Sequence, residues 1–249
     1  MTYSLIARDS TTGALGIAVA SRFFACGSLV PHIGHRTAVA TQAFVNPLWG
    51  VEGLQRLEAG DPAAEVLADF VARDGGQAQR QAHMLDASGR GVAHTGAACI
   101  AWAGHELGED YSVAGNMLTG PEVVAETARV WRERDDLDFP ERMLAAMQAG
   151  EDAGGDRRGR QAAALRIHRG EAYPWLDLRV DDHSDPLAEL RRLLAVARER
   201  LLFVAEIMPT AANFSGATDR ADIDRRITEA EAARAAAGRA TASLATTRE

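Results

Sequence analysis

Residues 2–22 have the sequence TYSLIARDSTTGALGIAVASR, and this stretch decides how the fold begins. Residues 3–8 and residues 14–21 are two largely apolar runs of strand length. Between them, residues 10–13 form a polar turn that ends on Gly13, a residue type that tolerates the backbone angles of tight turns. The pattern predicts a β-hairpin that starts at residue two.

The rest of the chain predicts strands in paired blocks and helices in paired blocks. Further strands are expected at 37–44, 82–86, 91–95, 162–167 and 176–180, while around 99–103 and 111–116 short apolar stretches alternate with glycine. Helices are expected at 50–58, after Asp61 as N-cap with Pro62 at the first helical position, and at 121–134, 139–149 and 186–204. A βαβ alternation would place one helix between every two strands, so we predict an α+β fold of antiparallel hairpins with helices packed outside.

The composition changes after about residue 205. Residues 219–239 are rich in alanine, arginine and acidic residues, with isoleucine only at Ile223 and Ile227. One i,i+4 apolar contact gives little burial, which predicts a solvated helix or arm. We therefore predict a domain at 1–205 and a helical or flexible tail at 206–249.

Charge and residue usage exclude several function classes. The chain has 27 basic against 35 acidic residues and a net charge of −8, which disfavours nucleic acid and anionic membranes as partners. Every basic residue is arginine, so Schiff-base chemistry and P-loop phosphate binding have no lysine to use. Cys26 and Cys99 lack a CxxC pattern and are predicted to be buried reduced thiols.

The segment MTYSLIARDS has no basic region followed by an apolar region, and no later apolar run has the length of a membrane span. We therefore expect a cytoplasmic protein that does not insert into a membrane.

Thr2 is the first candidate for chemistry. Removal of Met1 would place a free α-amine, with an unperturbed pKa of about 7.7–8.0, beside the threonine hydroxyl. One residue could then act as nucleophile and base. A threonine that only opens a strand is the alternative interpretation.

Three polar residues stand at the ends of apolar strands and are candidates for substrate binding. Arg22 could hold a carboxylate with its planar set of donors. Gln42 and Asn46 are uncharged amides beside a predicted core strand, where buried polar groups need partners or line a cavity. A solvated arginine and an Asn-Pro turn are the alternatives.

Two later segments add further candidates. In the sequence AGN at 114–116, the amide of Asn116 is a donor of the kind that an oxyanion site uses. In GGDRRGRQ at 154–161, Asp156 and Arg157 stand among glycines before a strand. We expect Asp156 to lie within about one hydrogen-bonded contact of Thr2, Arg22 or Asn116 in a shared concavity. The acidic cluster at 181–183 ends in His183 but lacks a second histidine at ligand spacing, so no metal is predicted.

Seven stretches, read together and in order, resemble the family called domain of unknown function 1028. They are residues 2–9, 16–22, 38–46, 95–104, 115–118, 154–161 and 177–193. The resemblance implies a four-layer αββα sandwich of the N-terminal-nucleophile (Ntn) hydrolase type with antiparallel sheets, and a homodimer. The opening hairpin also looks like that of proteasome-type subunits, although those sites use a lysine that this chain lacks.

The leading hypothesis is a hydrolase of a small C–N bond, such as an amide, ureido group or lactam, in nitrogen catabolism and without a cofactor. Thr2 would be the nucleophile, Asn116 an oxyanion donor and Asp156 the group that orients the amine. Arg22 or Arg157 would hold a carboxylate of a small-molecule substrate. The alternatives are a hydrolase that activates water with Asp156 or His183, and a non-catalytic binding protein on an Ntn fold.

Overall fold

The computed structural model describes residues 2–246, which contain ten strands and seven α-helices. The strands are β1 Thr2–Arg8, β2 Leu15–Ser21, β3 Pro31–Ile33, β4 Ala38–Ala43, β5 Arg80–Leu85, β6 Gly91–Thr95, β7 Gly104–Gly108, β8 Tyr111–Asn116, β9 Ala162–His168 and β10 Leu176–Val180. The helices are α1 Pro47–Glu58, α2 Ala63–Arg73, α3 Glu122–Glu133, α4 Phe139–Asp152, α5 Pro186–Glu199, α6 Leu201–Ala205 and α7 Ala221–Ala236.

The strands form two antiparallel sheets. One has six strands in the order β10-β9-β2-β1-β8-β7, and the other has four in the order β3-β4-β5-β6. The opening hairpin pairs β1 with β2, with Tyr3 opposite Ala20, and β1 lies next to the centre of the larger sheet. The predicted hairpin and the predicted α+β class with antiparallel sheets are therefore confirmed.

The two sheets share one apolar core. Ile6 and Ile17 of the six-stranded sheet cluster with Ala40 and Leu85 of the four-stranded sheet. The next residues along β4 and β5 point the other way, so that Val39 and Met84 pack against α1 and α2. The two-residue period of a strand thus divides its side chains between the other sheet and the helices.

Helices α3 and α4 pack against the six-stranded sheet. Tyr3 is fully buried, and its hydroxyl donates to the Met147 carbonyl of α4 at 2.9 Å. Gly16 of β2 lies directly under the same helix, where an added Cβ would stand 2.5 Å from the sulfur of Met143. Glycine at this position therefore permits the close approach of helix and sheet.

Several predicted element boundaries were wrong. Asp61 does not cap α2, because Pro62 holds the N-cap position and the Asp61 carboxylate accepts from Arg56 Nε at 2.7 Å. The guanidinium competes with backbone N–H groups for that carboxylate. Strands β3, β7 and β8 were not predicted, since β3 has three residues, β7 is half polar and β8 contains a glycine among short apolar stretches. The single helix expected at 186–204 is interrupted at Arg200, whose φ of −147° is not helical.

The chain forms two compact units, with the boundary between Leu190 and Arg191 inside α5. The sequence interpretation placed the end of the domain near residue 205. The first unit contains both sheets and α1 to α4, and the second contains α6 and α7. Ile223 and Ile227 are the buried residues of α7. Across residues 2–246, no helix combines the length and the apolar character needed to span a membrane.

Asp74 follows α2 and links three elements. Its Oδ2 accepts from Asn46 Nδ2 at 2.9 Å, Trp49 Nε1 at 3.0 Å and Arg80 Nε at 3.1 Å. Its Oδ1 accepts from the Gly76 N–H at 2.7 Å. The hydrogen bond from Asn46, with the other donors, lowers the pKa of the Asp74 carboxyl to about 2.

We expect Asp74→Asn to lower the free energy of unfolding by about 1–3 kcal/mol, because several partly buried donors lose a charged acceptor. The control is Asp69→Asn, which removes two ion pairs of an exposed carboxylate, to Arg56 at 2.7 Å and to Arg73 at 3.3 Å, and should cost less than about 1 kcal/mol. Urea unfolding at pH 7 measures both values.

The contribution of Asp74 to stability depends on pH. Since folding lowers the pKa of Asp74, its contribution to the free energy of unfolding is fully present above about pH 3.9 and is lost as the pH falls through about 2. The advantage of wild type over Asp74→Asn should therefore shrink below about pH 4. If Asp74→Asn and Asp69→Asn lose the same free energy of unfolding at pH 7, the Asp74 carboxylate stabilises the fold no more than an exposed ion pair does.

Candidate active site

Thr2 occupies the first position of β1, between the ends of two neighbouring strands. Its Oγ1 lies 3.1 Å from Oγ of Ser21, the last residue of β2. On the other side Thr2 pairs with Asn116, the last residue of β8, whose Nδ2 donates to the Thr2 carbonyl at 3.4 Å. The three side chains are buried. The antiparallel pairing thus gathers three polar residues at one end of the sheet.

Thr2 also lines a cavity of about 240 Å³. The other lining residues come from the segment after β2 and from the end of β4 and the residues that follow it, namely Phe23, Cys26, Leu29, Val30, Gln42, Ala43, Phe44 and Val45. A second cavity of about 240 Å³ shares Ala43 and Phe44 and is lined by Asn116. The Ala43-Phe44 segment thus borders both cavities.

Three non-glycine residues near this end of the sheet have left-handed backbone angles. They are Ala25 with φ 55°, Ala43 with φ 68° and Met117 with φ 53°. Such angles are uncommon for residues with a Cβ, and strained residues of this kind are concentrated at functional sites. Ala43 lines both cavities and Met117 lines the second.

Asp156 is buried and lies beside Leu118, with which it forms an isolated β-bridge. Its Oδ2 accepts from the backbone N–H of Arg22 at 2.8 Å, and its Oδ1 accepts from the backbone N–H of Arg158 at 2.9 Å. The Arg158 guanidinium approaches the same carboxylate at 3.3 Å. Asp156 makes the expected contact with Arg22, through the Arg22 backbone N–H, and this contact fixes the backbone directly after Ser21. The shared concavity and the catalytic role of Asp156 stay predictions.

The two arginines predicted to bind a substrate carboxylate have exposed side chains. Arg22 contacts Asp156 through its backbone, and its guanidinium stem lies near Gly159. Arg157 donates from Nη1 to the Ala101 carbonyl at 3.3 Å. Neither residue is among those that line the Thr2 cavity. Their role as substrate anchors stays a prediction.

A buried polar network runs between the two sheets beside the site. It consists of Ser4, Gln42, Gln81, His83, Ser112 and Asn116. Gln81 Oε1 accepts from Gln42 Nε2 at 2.9 Å and from Asn116 Nδ2 at 3.0 Å. Asn116 therefore directs its amide nitrogen at both Gln81 and the Thr2 carbonyl, which orients the amide plane.

His83 closes the inner end of this network. Its Nε2 lies 2.8 Å from Ser4 Oγ and its Nδ1 lies 2.8 Å from Ser112 Oγ. Burial lowers the pKa of His83 to about 3, so its ring is neutral at pH 7. Gln81 and His83 were not among the predicted site residues. Their alternation within the otherwise apolar strand β5 was the available signal, because it places both on the face toward the other sheet.

Asn46 is not among the residues that line the Thr2 cavity. Its Oδ1 accepts from the Leu48 N–H at 3.1 Å and caps α1, while its Nδ2 donates to Asp74. It lines a third cavity together with Trp49 and Asp74. The structure gives Asn46 a capping contact, and its predicted substrate contact stays a prediction.

The predicted acidic cluster near His183 is engaged in local contacts. Asp181 pairs with Arg179 at 2.9 Å, and His183 Nδ1 accepts from the Asp185 N–H at 2.9 Å. Over the described residues 2–246, no group of three or more His, Cys, Asp or Glu side chains could hold a metal ion.

Comparison with known proteins identifies relatives that share this fold. A model of the family DUF1028, described as a family of unknown function, matches residues 2–190. A crystal structure of a Silicibacter pomeroyi protein assigned to the same family superposes with a TM-score of 0.81 and 29% sequence identity, covering 88% of this chain and 96% of that chain. No curated protein matches this chain. Because the family model spans both sheets and Thr2, Ser21, Asn116 and Asp156, this chain belongs to the DUF1028 family.

Proposed function

We propose that this protein is an amidohydrolase that cleaves a C–N bond of a small molecule with Thr2 as its nucleophile. The observation that carries the proposal is the position of the Thr2 hydroxyl. It stands at an end of an inner strand, 3.1 Å from Ser21 Oγ, and it lines a cavity large enough for part of a small molecule.

The proposal includes the fold type that the family resemblance implies. Two antiparallel sheets pack together, and one pair of helices lies against each sheet, an arrangement that supports a four-layer αββα sandwich of the Ntn type. The homodimer, the cytoplasmic location and a role in nitrogen catabolism stay predictions.

The reaction needs Met1 to be removed, so that the α-amine of Thr2 is free. Thr2 Oγ1 attacks the carbonyl carbon while the α-amine, with an ordinary pKa of about 7.7–8.0, takes the hydroxyl proton. The C–N bond breaks as the departing nitrogen receives that proton, which leaves an acyl ester on Thr2. Water, giving its proton to the same amine, then hydrolyses the ester to a carboxylic acid and restores the hydroxyl.

The neighbouring residues have supporting roles in this scheme. Ser21 hydrogen-bonds the nucleophile, and Asp156 holds the backbone that follows Ser21. Asn116 can serve the oxyanion only by exchanging its long 3.4 Å bond to the Thr2 carbonyl for a bond to the substrate oxygen. Its 3.0 Å bond to Gln81 would hold the amide in place during that exchange.

The alternative with water as nucleophile needs a base that is open to water. The Asp156 oxygens accept from two backbone N–H groups and from Arg158, and His183 Nδ1 accepts from a backbone N–H. Because these contacts occupy the acceptor atoms of both candidate bases, they favour Thr2 over water as the nucleophile. The interpretation as a binding protein without activity predicts the same cavity but no acyl ester on Thr2.

Mass spectrometry of the purified protein tests the nucleophile. We expect the intact mass to lack one methionine residue, and we expect a β-lactone, which opens to form an ester with an active hydroxyl, to add its whole mass once. After tryptic digestion the added mass should lie on the peptide TYSLIAR, residues 2–8. A Thr2→Val variant is the control and should stay unlabelled. Retention of Met1 in an active protein would exclude the α-amine as the base.

A further inference from the structure

We infer that the cavity beside Thr2 is a pocket for an apolar, uncharged acyl group of about four to eight carbons. The inference rests on the proposed function and specifies the side of the scissile bond that this cavity receives. It departs from the small carboxylate-bearing substrate that the arginines of the sequence suggested.

The lining of the cavity is almost entirely apolar. Its apolar residues are Phe23, Cys26, Leu29, Val30, Ala43, Phe44 and Val45, and its two polar residues are Thr2 and Gln42. None of these nine side chains carries a charge at neutral pH. Burial raises the pKa of the Cys26 thiol to about 12, so Cys26 is a neutral thiol and adds to the apolar surface.

Gln42 has little capacity left for a ligand. Its Oε1 accepts from Ser4 Oγ at 2.7 Å, and its Nε2 donates to Gln81 Oε1 at 2.9 Å and to the Ala114 carbonyl at 3.2 Å. A carboxylate placed in the apolar part of this pocket, away from Thr2, would lose its hydration without meeting a cationic side chain, which carries a large free-energy cost. An alkyl or aryl group would only leave water, which is favourable.

The volume sets the size of the group. At about 30 Å³ per water molecule, a cavity of about 240 Å³ holds roughly eight groups of that size. This is below the range of about 300–1,000 Å³ for pockets that enclose a whole drug-sized ligand. The cavity therefore fits one substituent of a substrate, such as a hexanoyl or phenylacetyl group, with the carbonyl at Thr2.

The arginines stand outside this pocket. Arg22 and Arg157 are exposed and do not line it, and Arg157 contacts the Ala101 carbonyl next to Ile100, which lines the second cavity. A carboxylate that meets Arg22 or Arg157 would therefore lie outside the acyl pocket.

Binding and hydrolysis of a series of primary amides separate this inference from the proposed function. Calorimetric titration of the unreactive Thr2→Val protein measures the dissociation constants of acetamide, butanamide, hexanamide, phenylacetamide and the anionic glutaramate. We expect hexanamide and phenylacetamide to bind at least about tenfold more tightly than acetamide, since each buried methylene contributes about 0.8 kcal/mol. Glutaramate should bind no more tightly than acetamide. Release of ammonia by the wild-type protein tests the proposed function separately.

Neighbouring phenylalanines supply a matched pair of variants. Phe23 lines the cavity and is 54% exposed, whereas Phe24 is 60% exposed and is not among the lining residues. In the Thr2→Val background, Phe23→Ala should weaken hexanamide by about threefold or more through lost apolar contact, while Phe24→Ala should leave it unchanged. Tighter binding of glutaramate, equal binding across the series, or no binding of any apolar amide would overturn the inference. Hydrolysis of all the amides at equal rates would support the proposed hydrolase activity and overturn the apolar acyl pocket. Preferential binding of the apolar amides without hydrolysis would support the pocket and overturn the activity.

Discussion

Thr2→Val is expected to abolish amide hydrolysis while the protein stays folded. Valine has the shape of threonine and the same preference for strands, so the pairing of β1 with β2 and β8 should persist. What the variant loses is the hydroxyl, which in the proposed reaction forms the acyl ester. We expect a fall in kcat/KM of at least about a thousandfold, the scale on which loss of a covalent nucleophile acts.

Thr2→Ser is the matched control for this experiment. It keeps a hydroxyl at the same position, and it should retain measurable turnover and the β-lactone adduct. The lost hydrogen bond to Ser21 is expected to change the free energy of unfolding of Thr2→Val by only about 0.5–1.5 kcal/mol. Intact mass shows whether all three proteins begin at residue 2. A Thr2→Val protein that hydrolyses substrate at the wild-type rate would instead support water as the nucleophile.

Asp156→Ala is expected to reduce both stability and activity. Two backbone N–H groups in part-buried hydrogen bonds, of Arg22 and Arg158, lose their acceptor, and an unsatisfied group costs about 1–3 kcal/mol when it is buried. We therefore expect the free energy of unfolding to fall by about 2–4 kcal/mol in urea denaturation. Because the backbone of Arg22 directly follows Ser21, a shift there should also displace the contact with Thr2 and reduce kcat about tenfold to a hundredfold.

Two further variants separate positioning from general destabilisation. Asp156→Asn keeps an acceptor oxygen and the side-chain volume, so it should restore part of both stability and kcat. Asp182→Ala removes an exposed carboxylate that accepts from Gln161 Nε2 at 3.1 Å, and it should change stability by no more than about 0.5 kcal/mol. If Asp156→Ala behaves like Asp182→Ala, then Asp156 does not hold the segment after Ser21.

Local pattern was sufficient for most elements. The opening hairpin was predicted from two apolar runs and a glycine-ended turn, and the structure places Thr2 and Ser21 at its open end. A hairpin register depends on the turn and on the alternation of its own strands, so the residues that meet at its end follow from a short stretch of sequence. The absence of lysine, which excludes Schiff-base chemistry, also follows from the sequence alone.

Elements that make few contacts of their own were harder to predict. Strand β3 has three residues and begins with proline, and β7 has glycine at both ends and two adjacent polar residues between them, so neither has an apolar pattern. Their conformation is imposed by the neighbouring strands β4 and β8, with which they pair. Tertiary pairing overrides local preference in such edge strands.

The composition of the site was decided by tertiary structure. Asp156 reaches Arg22 across 134 residues of chain, and Asn116 reaches Thr2 across 114. Gln81 lies opposite Gln42 in the four-stranded sheet, and its amide reaches Asn116 only because the two sheets pack face to face. The sequence by itself determined which residues are polar and which elements carry them. Which of them meet, and that the cavity beside Thr2 is apolar, depended on how two sheets fill their common core, since contacts between sheets are set by the packing of many side chains and not by any local pattern.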